Sequence, residues 1–430
     1  MIKKILFILV IFTTIQISAQ RTNSSPYSIF GLGEEFSTKT VEQASMGGIG
    51  VAYSNAQYLN FINPAANANL RFATYSFGLF NNDLTIKDVS GKQSSTSTSL
   101  NYFSFGTPIG KKAGFSIGMQ PISSVGYSLV NQTVNASEVV TNIAVFSGNG
   151  GVNRVYGAFG ILLSKGLSIG IDADFSFGKI ENSIIEQRLN VALATKYQRE
   201  SIIRGGSVKL GIQYKKKMKN ELRLDLGAVV KFSSSLKATG DEKTYTLTFS
   251  DSGTEIPRDG FDDVLKTTGS FKLPTQTIIG LGLGKTNKWY TGFEYEFKDA
   301  IITSGYLNSV NTPFKYDISN RISIGGFYLP KIKSISSYWE RVTYRAGARF
   351  EKTGLLVNGT STAGDFTKIN DFGISFGLGL PLGNKLSNVN LGFEFGKKGT
   401  TNNNLIEENY FNFRLSLSLN DIWFIKRQID

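Results

Sequence analysis

The 430-residue chain contains no cysteine and no histidine. Without cysteine there is no disulfide framework, no thiolate nucleophile and no sulfur-bound metal. Without histidine the usual general base of serine hydrolases and the commonest zinc ligand are both missing, so most extracytoplasmic enzyme chemistries lose a required part. The expectation is a protein that is not an enzyme and has no cofactor and no metal site. Long apolar runs are lacking as well: after the first twenty residues nothing approaches the about 20 consecutive apolar residues that a spanning helix needs.

The amino terminus reads as a secretory signal peptide over residues 1–19. Lys3 and Lys4 form its basic region, Ile5 to Ile15 its apolar run, and Ile17-Ser18-Ala19 a cleavage site. The formal charge of +13 includes those two lysines. An exported chain without a basic aromatic module is not expected to meet nucleic acid.

From Ala73 onward the hydrophobic period is two. Leu167, Ile169, Ile171, Ala173, Phe175 and Phe177 alternate with Ser168, Gly170, Asp172, Asp174 and Ser176, and Phe372 to Leu380 alternates with glycine and serine. That is the pattern of strands with one apolar and one polar face. About fourteen such strands are expected, the first near 71–82 and the last near 407–421. The connections alternate in length. Short ones run Gly106 to Lys112, Ser164-Lys165, Lys215 to Asn220, Lys285 to Asn287, Lys331 to Ser337 and Pro381 to Leu386. Long loops are expected over Asn82 to Thr96, Asn131 to Gly151, Gly178 to Tyr197, Ser233 to Leu265, Lys298 to Tyr316, Lys352 to Asp365 and Gly396 to Ile406. Short inner turns and long outer loops are the layout of an outer-membrane β-barrel, whereas a soluble sandwich has no reason for such parity. The expected fold is therefore all-β, a transmembrane barrel of about fourteen antiparallel strands, in the outer membrane of a Gram-negative bacterium.

In such a barrel the apolar set faces lipid and the Gly, Ser and charged set faces the lumen. Inward charges would include Asp172, Asp174, Arg223, Asp225, Glu294, Glu296, Arg345, Arg349, Glu394 and Arg414, read as a cross-lumen network or as an ion-selectivity ring. The short turns carry lysines, among them Lys111, Lys112, Lys165, Lys216, Lys288, Lys331 and Lys333. These either meet anionic lipid headgroups of the inner leaflet or simply solubilise the turns.

Many inward positions are tiny, so the lumen needs a filler. Gln43 to Leu70 is the candidate, with Gly47, Gly48 and Gly50 permitting positive φ and close backbone approach, and Asn63-Pro64-Ala65 fixing a bend. The domain reading is a plug over residues 20–70 and a barrel over 71–430. Pro121 interrupts the third strand and marks a bulge or local break, because proline cannot donate to a ladder.

Export signal, glycine cluster, Asn-Pro-Ala triplet and about fourteen strands together resemble the FadL family of outer-membrane transporters for long-chain fatty acids and other hydrophobic compounds. The resemblance implies a luminal plug and a lateral gate where the third strand kinks, here Gln120, Pro121, Ser123, Ser124 and Gly126. It implies uptake of a hydrophobic small molecule. The alternative is a non-transporting FadL-like barrel that serves as a structural subunit or carrier of an outer-membrane secretion or protein-assembly machine. Expected partners are outer-membrane lipids and lipopolysaccharide, a hydrophobic ligand and other outer-membrane proteins. The opening Ser25-Pro26-Tyr27 to Gly33 and the tail Asn420 to Arg427 depart from the family's pattern.

Overall fold

The computed structural model describes residues 25–137, 139–260, 263–307, 313–360, 362, 364–383 and 387–422. The expected signal peptide and the tail beyond Ile422 lie outside the described residues. Fourteen antiparallel wall strands follow the period-two pattern. They are β1 (Ala73–Lys87), β2 (Lys92–Ile109), β3 (Ala113–Val134), β4 (Val140–Ser164), β5 (Leu167–Arg188) and β6 (Ala194–Lys217). β7 has two segments, Leu222–Lys231 and Ser234–Phe249, and β8 three, Glu255–Asp259, Leu265–Leu273 and Gln276–Lys285. β9 joins Trp289–Lys298 to Ile302–Gly305, and β10 joins Phe314–Tyr316 to Ser319–Tyr328. β11 (Thr343–Val357), β12 (Thr367–Pro381), β13 (Asn388–Gly399) and β14 (Glu407–Asp421) complete the wall. β1 pairs with β14 from Ala73↔Asp421 to Lys87↔Glu407, so the sheet closes and both ends of the wall lie at the short-turn rim.

Solvation explains the faces. On β5, Ile169, Ile171 and Phe175 are 39%, 45% and 53% exposed, while Ser168, Asp172 and Ser176 are buried. The exposed apolar side chains form the outer band that hydrocarbon covers, and the buried polar ones line the lumen. Every inward charge expected from the alternation is buried or partly buried.

Two expectations about connections are corrected. Most of the long loops are themselves strand: β4 runs 25 residues and β6 runs 24, far beyond the about 9–11 needed to cross hydrocarbon, so Asn131–Gly151 and Ser233–Leu265 are mainly tall paired hairpins. Continued cross-strand pairing satisfies backbone groups that a loop would leave to water. The turn expected at Lys331 to Ser337 extends from Leu329 to Val342 and includes a short helical turn at Trp339–Arg341.

Inside the wall lie the described residues before Ala73, from Ser25 on. They include a two-residue strand, Glu34–Glu35, the four-residue helix α1 (Val41–Ala44) and a 3₁₀ helix over Pro64–Asn69. α1 starts at a capping box in which Gln43 N donates to Thr40 Oγ1 and Thr40 N donates to Gln43 Oε1.

Candidate functional site

The inner segment Thr40–Leu70 is almost wholly buried against inward faces of the wall. Gly47 and Gly48 have φ of 68° and 83°, and a Cβ on Gly47 would stand 2.7 Å from the carbonyl oxygens of Ile324 and Ala348. Gly50 does not use a positive φ. A side chain there would instead collide with Gln43 and Ile62, so its requirement is space alone. Asn63 caps the 3₁₀ helix by accepting from Ala65 N, and its Nδ2 donates to Val51 O (2.7 Å) and to Ile212 O in β6 (3.0 Å). Pro64 opens that helix, where its missing N–H costs nothing.

The wall answers with its own glycines. A Cβ on Gly170, Gly211, Gly227 or Gly347 would come within 2.0–2.4 Å of inner-segment atoms: Ala65 N, Asn63 Oδ1, Val51 O and Gly47 N respectively. These are tiny inward positions at which the inner segment takes the place of side chains. Apolar packing completes the seat, with Val41, Leu59, Phe61 and Leu70 clustered on Tyr102 and Tyr156.

Polar contacts fix the register. Glu294 Oε2 accepts from Gly50 N (2.9 Å) and Val51 N (2.8 Å), Gly47 N donates to Ser375 Oγ (2.8 Å), and Glu42 Oε1 accepts from Asn390 Nδ2 (2.9 Å) and Ser418 Oγ (3.1 Å). Lys209 Nζ donates to Phe61 O at 2.8 Å while pairing with Asp172 at 3.2 Å. Around the lumen, Arg154 lies 3.4 Å from Asp174, Arg349 joins Asp371 (2.8 Å) and Glu394 (2.9 Å), and Arg414 joins Glu394 (2.7 Å). The inward charges thus form a paired network that also grips the inner segment. The strand alternation left out Arg154 and Lys209, although each sits on the inward parity of its strand.

Lys39 is a different case. It is 7% exposed, it lines a luminal cavity of about 400 Å³, and among the described residues its ammonium has no ion pair. Burial, with Arg321 adding like charge, pushes its pKa down to about 8.

Pro121 sits at an irregular point of the wall. Its register with β4 slips at Ile122, between Pro121↔Asn153 and Ser123↔Val152. On the other side, β2 and β3 are paired only from Phe103↔Met119 down to Ile109↔Ala113. Above that the two strands follow their other neighbours, β1 and β4, and a seam opens. Its β3 edge is taken up from within: Glu34 and Glu35 pair with Ser124 and Ser123, Phe36 N donates to Ile122 O (2.9 Å), and Gly126 N donates to Ser28 Oγ (3.0 Å). Two ion pairs, Glu34–Lys398 at 2.9 Å and Glu35–Lys298, tie this arm across the lumen. Gln120 is buried and accepts from Arg154 Nη2 at 2.8 Å. A cavity of about 820 Å³ lies in the seam, with Phe36, Leu100, Pro121 and Val125 in its lining. The five residues Gln120, Pro121, Ser123, Ser124 and Gly126 are thereby brought to one place. The glycine and Asn-Pro-Ala motifs form a separate seat lower in the lumen.

A family model described as BamG matches residues 1–430. The chain belongs to the BamG family. A search of curated proteins returned no match. Among solved structures, this BamG-family barrel is similar to the Pseudomonas putida toluene transporter TodX, with 15% identity, a TM-score of 0.58, and 92% of this chain and 100% of that one covered. It is similar to the Ralstonia pickettii toluene transporter TbuX (13%, 0.57, 90% and 98%) and to a Pseudomonas aeruginosa FadL homologue (10%, 0.56, 90% and 98%). At such identities the likeness is one of fold, and the fold is FadL-like. The BamG-family chain is therefore a closed barrel of FadL-like fold.

Proposed function

We propose that this chain is an outer-membrane channel of FadL type for hydrophobic compounds, long-chain fatty acids among them, with Gln43–Leu70 as its plug and Gln120 to Gly126 as a lateral gate. It has no catalytic role in this reading. The observation that carries the reading is the seam: a wall interruption in a spanning sheet, with an apolar-lined cavity, gives a hydrophobic molecule a route between lumen and bilayer. In hydrocarbon an unpaired backbone group costs several kcal/mol, and here the arm covers the interrupted β3 edge, so a movement of the arm is what would open or close the route. The structural neighbours described as toluene transporters support the same coarse function.

One set of observations favours the second reading, a non-transporting subunit or carrier in an outer-membrane secretion or assembly machine. The luminal cavity mixes Phe30, Leu32, Phe36 and Phe80 with charged side chains, among them Lys39, Arg321, Arg349, Glu351, Asp371 and Lys398, which a wholly apolar ligand would leave unsolvated, and paired charges hold both arm and plug. Native mass spectrometry of the gently solubilised protein separates the two when combined with uptake of a labelled long-chain fatty acid by cells carrying or lacking it. Bound apolar molecules with protein-dependent uptake support the channel. Stoichiometric protein partners with no difference in uptake overturn it in favour of the subunit.

A further inference from the structure

The short-turn rim is not uniform. The turn between β10 and β11, Leu329–Val342, concentrates apolar and aromatic side chains in the open: Ile335 is 97% exposed and Trp339 62%, with Ile332 and Tyr338 also exposed. Two of the three tryptophans of the chain, Trp289 and Trp339, lie here, since Trp289 pairs with Tyr328 at the foot of β10. The turn is held against the outside of the wall. Tyr344, which pairs with Tyr328 on the lipid-facing side, donates its hydroxyl to Trp339 O at 3.2 Å, and Tyr338 donates its hydroxyl to Pro381 O at 3.2 Å.

Cations surround this patch. Lys331 and Lys333 are exposed within the turn, and Lys288 is exposed on the neighbouring one, where its carbonyl accepts from Leu329 N. Among the described residues none of these three lysines has an ion pair. The Arg341 guanidinium stacks over Tyr338, 5.3 Å from the ring centroid, and its Nε is buried without a hydrogen-bond partner. The turn's one carboxylate is Glu340. Elsewhere on the rim Lys285 pairs with Glu221, but Lys111, Lys112 and Lys165 likewise have no ion pair among the described residues, so the aromatic cluster is what sets this turn apart.

We propose that Leu329–Val342 is a binding site for the headgroup of an anionic phospholipid of the periplasmic leaflet. The chemistry is a division of labour. Trp339, Tyr338 and Ile335 sit at the boundary of headgroup and acyl chain, where amphipathic rings are favoured. Lys331, Lys333 and Arg341 meet the phosphate and the net negative charge of the head. A zwitterionic lipid would satisfy the aromatic side chains but leave the excess cations without a counter-charge. A periplasmic protein is the other occupant such a face could take, and the position of the turn, folded back on the lipid-facing wall, favours lipid. This inference goes beyond the transport reading and stands if that reading fails.

The test uses the intact folded protein in phosphatidylcholine bilayers doped with brominated phosphatidylglycerol or brominated phosphatidylcholine. The readout is quenching of Trp339, taken as the difference between wild type and Trp339→Phe. Each cation near an anionic surface contributes about 5-fold, so two should give a preference for phosphatidylglycerol on the order of 20-fold. The double variant Lys331→Gln/Lys333→Gln should bring that preference close to one, whereas Lys111→Gln/Lys112→Gln, on a turn without the aromatic cluster, should leave it intact. Heat-modifiable gel migration verifies that every variant is folded. Equal quenching by the two lipids overturns the proposal. So does equal loss in both double variants, which would mean diffuse rim charge. Absence of quenching also overturns it, placing the turn outside the bilayer and leaving its face to a protein.

Discussion

Gly347→Ala is a minimal test of whether the inner segment fills the lumen as a fitted part. The added methyl would stand 2.2 Å from both Gly47 N and Met46 C, backbone atoms that cannot swing aside as a side-chain tip can. Gly47 has no room to retreat, because it is already seated against the carbonyls of Ile324 and Ala348 and donates to Ser375 Oγ. Overpacking of this kind costs about 1–3 kcal/mol, and displacing Gly47 forfeits about 1 kcal/mol more from the hydrogen bond. A net loss of about 2 kcal/mol changes the ratio of seated to unseated segment by a factor of about 30. The matched control is Gly157→Ala, whose methyl would find its nearest neighbour, Phe115, at 3.8 Å. Two assays apply: the midpoint of thermal unfolding in detergent, and ionic conductance in planar bilayers. Gly347→Ala should lower the midpoint and add conductance or flicker, and Gly157→Ala should do neither. If the two variants match in both assays, Met46–Gly47 is not packed on β11 and the filled-lumen argument fails.

Lys39→Met should raise the unfolding midpoint near pH 7, because it removes a buried cation without an ion-pair partner. The sign follows from linkage: with the folded pKa near 8 and the unfolded one near 10.5, the unfolded chain binds more protons between those values. Wild-type stability should therefore rise through about pH 8–10.5, by at most roughly 3 kcal/mol, and Lys39→Met should flatten that rise; an unchanged pH profile refutes the assignment. Pro121→Val supplies a donor where β3 slips its register, and should raise stability in detergent while reducing fatty-acid uptake. A lower midpoint with uptake unaltered would make Pro121 an inert bulge. Because the chain has no native cysteine, single cysteines report topology cleanly. At Ser252 on an outer hairpin one should react with an impermeant maleimide on intact cells, and at Asn220 one should not. The opposite pattern inverts the barrel.

The wall was legible because lipid and lumen impose opposite solvation on alternate residues, and Ile169, Ile171 and Phe175 against Ser168, Asp172 and Ser176 record that demand residue by residue. Strand ends were less legible. Hairpins such as β3–β4 continue beyond the membrane, where water lies on both faces and nothing enforces a strict alternation, so they resemble loops. The inner segment announced itself through Gly47, Gly48 and Asn63-Pro64-Ala65, whose backbone requirements are local. Its contacts were not legible, since Glu294 reaching Gly50 and Val51 spans more than 240 residues of sequence. Pro121 signalled a break, but not that Glu34 and Glu35 would take up the edge, because a two-residue strand leaves no periodic trace. Lys39 was hidden for the same reason: in an irregular segment no parity tells which side chains turn inward.

The two levels of the lumen are held by different chemistry, and that difference says which part can move. Lower down, the inner segment meets glycines and the apolar cluster of Tyr102 and Tyr156, contacts that lose dispersion and burial steeply on small displacement and are indifferent to salt. Higher up, the first part of the arm packs Tyr27 and Phe30 on Val357, Ile369 and Leu405, while its end, Glu34–Phe36, is tied mainly by Glu34–Lys398, Glu35–Lys298 and a two-residue ladder on β3. Ion pairs that open toward solvent are screened by salt, and two rungs of ladder are a small fraction of a sheet's cooperativity. A perturbation of modest size therefore frees Glu34–Phe36 before it unseats the inner segment. Since Glu34–Phe36 occupies the β3 edge at the seam, raised ionic strength should expose the arm-facing amide of Ser124 to exchange well before those of Gly47 and Val51. Simultaneous exposure of both levels would mean that arm and inner segment move as one body and that the seam cannot open on its own.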